Sequence, residues 1–145
     1  MTQVNPEGKQ IVFNGKAYSY DYLVLATGSG STFFGHDDWR TFAPPMKILE
    51  HAEEIRRRLL MAMEQAEQTP DPEARQFLQT VVIVGAGPSG CEMAGAVSEL
   101  MRWAMDNAFK QLDPEKTRIV MVDPGDRVLR AMPEGLSEAA MQSLQ

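Results

Sequence analysis

A run of β-branched residues that breaks abruptly into glycine is the feature that most constrains this chain. Residues 81–84 are Val-Val-Ile-Val, a pattern typical of a strand that is buried on both faces of a parallel sheet. Gly85, Gly87 and Gly90 follow in the spacing G-x-G-x-x-G, and a long helical pattern begins at once. Strand, tight turn and helix therefore come in the order that a dinucleotide-binding β-α-β unit requires, which predicts an α/β fold with a parallel sheet.

Each of these glycines has a separate predicted task. Gly85 permits the tight turn, Gly87 lets the backbone approach a pyrophosphate, and Gly90 lets the helix pack closely on the strand. The first amides of the helix lack intrahelical partners and lie at the positive end of its dipole. No lysine or arginine lies between Gln79 and Met101. We therefore expect backbone amides, rather than basic side chains, to hold a diphosphate here.

A second strand pattern, Arg118-Ile-Val-Met-Val122, ends at Asp123, whose carboxylate is suited to accept hydrogen bonds from an adenosine ribose. Asp123 follows Gly90 by 33 residues, compared with about 20 in the usual unit. A long helix from Pro88 to about Phe109 and a polar loop over 111–117 account for the excess. Taken alone, a glycine-rich turn is a weak signal and an acid after a strand is often a turn residue. A purely structural role for both therefore stays open.

Composition narrows the class of protein. The chain has 145 residues, of which 43% are hydrophobic, and this is one domain's length with enough apolar residues for a core. A net charge of -6 without a basic stripe argues against nucleic acid as a partner. No apolar run approaches the roughly 18 residues that span a bilayer, and the N-terminus lacks the pattern of a signal peptide. We expect a cytoplasmic protein.

Cysteine and histidine are too sparse for two common kinds of site. Cys91 is the single cysteine, so the sequence contains neither an internal disulfide nor a C-x-x-C redox pair. We interpret Cys91 as a small buried residue on the predicted nucleotide helix rather than as a reactive thiol. His36 and His51 are too few and too isolated to suggest a metal site, so solvated or capping roles are expected.

The first part of the chain predicts a hairpin and one further strand. Residues 10–13 and 16–20 are extended patterns joined by Asn14-Gly15, the dipeptide that best fits a type I′ turn. Leu23 to Ala26 predicts a second short buried strand that ends in small residues. Ligands bind beyond the carboxyl ends of such strands, although these small residues are equally typical of a simple exit into a loop.

A connector and an amphipathic helix precede the glycine motif. Glycine and proline without periodicity over 29–45 indicate a connecting segment, and the pattern from Met46 to about Gln68 predicts the helix. Arg56-Arg57-Arg58 follows Glu53-Glu54, which favours a solvated, salt-bridged helix face over an anion site. A last helix is predicted to begin near Leu136.

Four stretches, taken in order, resemble the type II NADH dehydrogenases, which are single-subunit NADH:quinone oxidoreductases of the two-dinucleotide-domain flavoprotein superfamily. The stretches are Tyr20-Asp-Tyr-Leu-Val-Leu-Ala-Thr-Gly-Ser29, Phe34-Gly35, Arg56-Arg-Arg-Leu-Leu60 and Val82-Ile-Val-Gly-Ala-Gly-Pro-Ser-Gly-Cys-Glu-Met-Ala-Gly-Ala96. The Ala-Thr-Gly and glycine motifs belong to the whole superfamily. The connector, the triple-arginine helix and the Glu92-Met-Ala-Gly-Ala context narrow the resemblance to this family.

The resemblance implies a role for each site residue. Ala26, Thr27 and Gly28 would belong to the FAD domain, where the chain crosses towards the nicotinamide domain. The predicted NADH-binding residues are Gly85, Gly87, Pro88, Ser89, Gly90, Glu92 and Asp123. Within that set, Glu92 would lie by the nicotinamide, and Asp123 would bind the adenosine ribose where the family usually carries glutamate.

The resemblance also implies how the chain is divided. Residues 1–29 would be the C-terminal part of an FAD-binding domain segment, 30–79 a connector with its helix, and 80–145 a partial NAD(H)-binding Rossmann domain. The family's earlier glycine fingerprint, later Gly-Asp motif and C-terminal amphipathic helices are not in this sequence. The predicted fold class is thus α/β, a Rossmann-like three-layer fragment from the middle of such an enzyme.

The implied function is transfer of a hydride from NADH to FAD and then of electrons to a quinone. FAD and NAD are the implied cofactors, NADH and quinone the substrates, and no catalytic residue is named because hydride transfer between stacked rings needs orientation. Peripheral attachment to the cytoplasmic face of a membrane, through parts outside this chain, and a homodimer are left open. Two alternatives remain: another FAD/NAD(P)-dependent reductase of disulfide or ferredoxin type, or a nucleotide-binding fragment without activity of its own.

Overall fold

The computed structural model describes residues 2–145, which form two compact units. The first unit ends at Gly30, and the second runs from Ser31 to Gln145. The first unit is built from β-strands, whereas the second contains the helices and a parallel strand pair. The predicted α/β class is confirmed.

The first unit is an antiparallel sheet with the strand order β1-β2-β3. Its strands are β1 (Gln3–Asn5), β2 (Gln10–Phe13) and β3 (Lys16–Ser19). The turn between β2 and β3 has positive φ at both central residues, 49° at Asn14 and 74° at Gly15, as a type I′ turn requires. The predicted hairpin is therefore confirmed, while β1 was not predicted because its short polar run carries no strand pattern.

The predicted buried strand over residues 23–26 is wrong. These residues have no regular secondary structure, and Val24 is 86% exposed. A strand is stabilised by ladder hydrogen bonds to a neighbour and by burial of its faces. Within residues 2–145 no strand pairs with this segment, so its apolar pattern stays open to solvent.

The second unit alternates helices and strands around the glycine motif. Its elements are α1 (Leu49–Gln68), α2 (Pro72–Leu78), β4 (Thr80–Val84), α3 (Pro88–Ala108), β5 (Arg118–Val122) and α4 (Glu134–Leu144), with 3₁₀ turns at Asp37–Thr41 and Pro114–Lys116. Strands β4 and β5 pair in parallel, and Val84 lies opposite Val122 at their carboxyl ends. The predicted strand, long helix and second strand are thus confirmed, and α1 begins three residues later than predicted.

The core of this unit lies between α1, α3 and one face of the strand pair. Partly buried side chains from β4 and β5, Val81 and Ile119, pack against a fully buried cluster rich in methionine. The cluster consists of Met63, Ala66, Val97, Met101, Ala104, Met105 and Leu112. The apolar positions of α1 and α3 recur at helical spacing, which is why the two helices bury these faces together.

The expectation that β4 is buried on both faces is wrong. Val82 is 58% exposed and Val84 is 70% exposed, and Val122 of β5 is also exposed. Side chains alternate across a strand, so one set packs on α3 while the other set has no layer over it among the described residues. The Val-Val-Ile-Val pattern indicates a strand suited to two covered faces, but only one face is covered here.

The triple-arginine helix behaves as predicted. Glu54 accepts from Arg57 at 2.8 Å and from Arg58 at 2.6 Å, and all three side chains are in contact with solvent. The two guanidinium groups lower the pKa of Glu54 to about 2.

Along the described chain, no helix combines the length and the apolar character that crossing a membrane demands.

Candidate functional site

The loop between β4 and α3 is shaped by two of its glycines. Gly85 has φ +103°, a conformation that side chains rarely adopt, and its amide donates to the carbonyl of Val122 at 2.8 Å. A Cβ on Gly90 would lie 2.0 Å from the Gly85 carbonyl oxygen, so only glycine permits this approach of helix to loop. The tight-turn and close-packing tasks predicted for Gly85 and Gly90 are confirmed.

The start of α3 presents backbone donors without protein partners. Within residues 2–145, the amides of Gly87, Ser89 and Gly90 have no hydrogen-bond partner, while Pro88 has no N–H to donate. The first intrahelical bond runs from the Cys91 amide to the Gly87 carbonyl at 3.1 Å. No atom lies within 4 Å of a Cβ built on Gly87. Unpartnered donors thus lie at the positive end of a 21-residue helix, and a side chain's space beside Gly87 is open.

Asp123 follows β5 at the same sheet edge as the glycine loop. Its carboxylate accepts the Ala86 amide at 2.9 Å and the Gly125 amide at 2.7 Å. The bond from Ala86, the bond from Gly125 and the charge of Arg130 together lower the pKa of Asp123 from its ordinary range. Asp123 is therefore ionised at neutral pH, and it lies beside the open amides.

The segment after β5 contacts the glycine loop a second time, through backbone atoms. The Leu129 amide donates to the Ala86 carbonyl at 2.8 Å. Buried Ser137, from α4, donates its hydroxyl to the carbonyl of Val128 and so holds this segment in place. Sequence reasoning missed these contacts. The Asx turn formed by Asp123 and Gly125 could have been predicted from their spacing. No local sequence pattern predicts the φ of +52° at Leu129, which belongs to the contact with Ala86.

An open cleft of about 550 Å³ adjoins this region between α3, β5 and α4. Ala86 and Asp123 line its mouth near the glycine loop, and Ser98 and Arg127 contribute polar groups farther along. Arg127 donates to the Met132 carbonyl, so its guanidinium is tied to the protein backbone. The cleft therefore provides space beside the carboxylate of Asp123.

The remaining predicted residues of the second unit lie on the exposed start of α3. Glu92 is exposed and its side chain makes no hydrogen bond within the described part of the chain, and Pro88 and Ser89 are exposed as well. Cys91 is half-buried, with its sulfur 3.8 Å from the Ala86 carbonyl. The structure thus brings together the glycines, the helix start and Asp123, and leaves Glu92 pointing to no protein group.

The predicted flavin residues belong to the first unit and are described within it alone. Ala26, Thr27 and Gly28 are exposed and form part of an irregular segment. Gly28 has φ +70°, and a Cβ built there meets nothing within 4 Å. These small residues leave room for a ligand, and their role with FAD stays a prediction.

The whole chain, residues 1–145, matches the family model described as pyridine nucleotide-disulphide oxidoreductase. The chain is 40% identical to the type II NADH:quinone oxidoreductase Ndh of Mycobacterium tuberculosis over 149 aligned residues, covering all of this chain and 32% of that protein. It is 39% identical to NdhA of the same organism, over 87% of this chain and 27% of the relative.

A mitochondrial external NADH-ubiquinone oxidoreductase 2 from Saccharomyces cerevisiae is 28% identical over 94% of this chain. The chain spans 27–32% of the length of these three curated relatives. The resemblance to type II NADH dehydrogenases is confirmed at the level of sequence. With a family model that covers every residue and a glycine loop of the predicted form, this chain belongs to the pyridine nucleotide-disulphide oxidoreductase family.

Proposed function

We propose that this chain is the central part of an FAD-dependent NADH:quinone oxidoreductase and supplies its NADH-binding β-α-β unit. In this proposal residues 1–29 complete an FAD domain, 30–79 connect the domains, and 80–145 bind NADH. The names of the relatives support the activity, because the Mycobacterium tuberculosis proteins are NADH:quinone oxidoreductases and the yeast protein an NADH-ubiquinone oxidoreductase.

One observation carries the NADH site: open amides and an ionised carboxylate occur side by side at one sheet edge. The amides of Gly87, Ser89 and Gly90 are suited to the pyrophosphate, since they offer hydrogen bonds and a positive dipole end without a basic side chain. Asp123 keeps lone pairs that its two amide partners do not use, and these can accept the ribose hydroxyls.

In this proposal the residues of this chain bind and orient the cofactors and do not take part in bond making or breaking. A bound FAD would supply the redox chemistry, as acceptor for the hydride of NADH and donor of electrons to the quinone. Ala26, Thr27 and Gly28 would let the flavin approach the backbone, because they are small and exposed. Glu92 would orient the nicotinamide, since its carboxylate is exposed on α3 and bound to no described protein group.

The carboxylate of Asp123 implies which of the two nicotinamide cofactors binds more tightly. Asp123 remains negatively charged at neutral pH, so it would repel the 2′-phosphate of NADPH. We therefore expect NADH to bind more tightly than NADPH. Equal affinities in a direct titration would contradict this assignment.

The NADH site is tested by filling the open space at Gly87. Gly87→Val adds a side chain where no protein atom lies within 4 Å and where the backbone is extended, so the fold should survive. We expect NADH binding, followed by fluorescence, to weaken by about tenfold or more, because the added methyl groups occupy the space of the diphosphate. Gly135→Val, on α4, where a Cβ meets nothing within 4 Å and which does not line the cleft, is the matched control and should bind as the wild type does. Unchanged binding by the Gly87 variant would place the nucleotide elsewhere.

The role of Glu92 is tested separately in the flavin-loaded enzyme. Glu92→Ala should slow the reduction of FAD by NADH while the flavin content stays the same. Asp106→Ala, an exposed acid farther along α3 that does not line the cleft, is the control. Equal rates of flavin reduction in the wild type and the Glu92 variant would remove this role.

A further inference from the structure

Ala86, the central residue of the glycine loop, is held at both of its backbone polar groups by the segment after β5. Its amide donates to Oδ2 of Asp123 at 2.9 Å, and its carbonyl accepts the Leu129 amide at 2.8 Å. Ala86 itself is buried. The loop therefore does not take its shape from its own glycines alone.

The segment after β5 that binds Ala86 is itself conformationally constrained. The second carboxylate oxygen of Asp123 accepts the Gly125 amide at 2.7 Å, and a Cβ on Gly125 would lie 2.8 Å from that oxygen. Leu129 has φ +52°, a conformation that costs energy for a bulky residue and persists only where the surroundings enforce it. Backbone strain of this kind clusters at ligand-binding and active sites.

We propose that Asp123, Gly125 and Leu129 form a loop clamp that fixes the glycine loop in its nucleotide-binding shape, so that Asp123 is a positioning residue in addition to a ribose ligand. This inference rests on the proposed NADH site and extends it. A loop that is already in its bound shape loses less conformational entropy on binding, which raises affinity for any diphosphate ligand. The clamp therefore affects ligands that have no ribose hydroxyls at all.

Two nucleotides separate the clamp from ribose recognition. ADP and 2′,3′-dideoxyadenosine 5′-diphosphate carry the same base and diphosphate, but the second lacks both ribose hydroxyls. Ala86 and Gly125 donate to different oxygens of Asp123, and Asp123→Asn replaces one of those oxygens by an NH₂, so one of the two amides faces a donor instead of an acceptor. We expect the variant to bind the dideoxy nucleotide about tenfold more weakly than the wild type, a loss typical of removing a residue that positions a binding group. ADP should lose at least as much affinity, because the variant also changes the ribose contact. Glu138→Gln, at an exposed position of α4 outside the cleft, removes an equal charge and is the matched control, which should bind both nucleotides as the wild type does.

Gly125→Ala tests the clamp while leaving Asp123 in the chain. The added Cβ forces the carboxylate away from the position in which it accepts the Gly125 amide. The variant should therefore also lose affinity for the dideoxy nucleotide. Gly135→Ala, where a Cβ meets nothing within 4 Å, should not.

Hydrogen exchange measured by NMR gives a readout that needs no ligand. In the wild type the amides of Ala86 and Gly125 should be protected, and in Asp123→Asn both should exchange faster. The Gly85 amide, bonded to the Val122 carbonyl, is the internal reference and should keep its protection. Loss of protection at all three amides would indicate general unfolding and would overturn the proposal.

The outcomes are distinct. If Asp123→Asn weakens ADP but leaves the dideoxy nucleotide unchanged, Asp123 is a ribose ligand alone and the clamp is wrong. If the wild type binds neither nucleotide, the proposed NADH site fails, and the exchange rates of Ala86 and Gly125 still decide whether the clamp exists.

Discussion

The two ends of α3 are both organised by a carboxylate from a distant part of the sequence, yet they serve different purposes. At the N-terminal end, Asp123 holds the amide of Ala86, which precedes the helix, and the amides of the first helical turn stay open. At the C-terminal end, Glu67 of α1 accepts the amides of Lys110 and Gln111, which follow the helix, at 2.9 Å.

The two ends differ in which backbone amides the carboxylate leaves without a hydrogen-bond partner. Glu67 accepts consecutive amides of the loop that leads from α3 to β5, so the donors beside that end are bound by the protein itself. Asp123 fixes the loop but leaves strong donors beside it, which is the arrangement expected of a ligand site. One helix thus has an end that contributes to stability and an end that remains available for binding.

The largest effect is expected at the open end. Gly90→Ala places a Cβ 2.0 Å from the Gly85 carbonyl, so α3 must move away from the loop. We expect the free energy of unfolding to fall by about 1–3 kcal/mol or more. Gly95→Ala on the same helix meets nothing within 4 Å and should raise it by about 0.5–1 kcal/mol. Urea denaturation checks both, and equal shifts in the two variants would contradict the close-packing role of Gly90.

The next effect concerns the segment behind the open end. Ser137→Ala removes the hydroxyl that donates to the buried carbonyl of Val128, leaving that acceptor without this partner. The unfolding free energy should fall by about 1–3 kcal/mol. Ser143→Ala, on the exposed side of α4, is the control and should stay near the wild type. A Ser137 variant as stable as the wild type would mean that the bond adds nothing to the segment.

A smaller effect is expected at the closed end. The amides of Lys110 and Gln111 lower the pKa of Glu67 from its ordinary value of 4.5, so its contribution to stability is present above that pH and is lost as pH falls below it. Glu67→Gln should lower the urea midpoint at pH 7, and the difference from the wild type should shrink towards pH 3. Glu64→Gln is the control. Nucleotide affinity should be unchanged, and a loss of affinity would show that the two ends are coupled.

The smallest effect is expected on the outer face of α1. Glu54 has a pKa of about 2 because of Arg57 and Arg58, so its ion pairs persist until the pH falls from 4.5 towards that value. Exposed pairs contribute little and are screened by salt. Glu54→Gln should shift the urea midpoint less than the Glu67 variant does, and the shift should vanish at about 1 M salt. A larger shift than that of Glu67 would reverse the order proposed here.

Local patterns predicted much of the second unit and little of its long-range contacts. The β-branched run, the glycine spacing and the helical period gave β4, the loop and α3, because each depends on residues close in sequence. The Asn14-Gly15 hairpin was predictable for the same reason.

The predictions that were wrong depend on neighbouring elements that are distant in sequence. The strand expected over residues 23–26 and the second covered face of β4 depend on neighbouring layers that a local pattern does not specify. The bonds of Asp123 to Ala86 and of Glu67 to Lys110 also join residues far apart in sequence. Asp123 was identified for its place after a strand, and its hold on the loop emerged only from the geometry.

The interior shared by α1 and α3 is built largely from thioethers. Met63, Met101 and Met105 are almost fully buried, while Met46 and Met61 lie at the surface. Oxidation to the sulfoxide makes methionine polar, so an oxidant should attack the surface sulfurs first and reach the interior ones when the helices separate. The rate at which the buried methionines are oxidised, compared with the surface ones, therefore reports how often α1 and α3 separate.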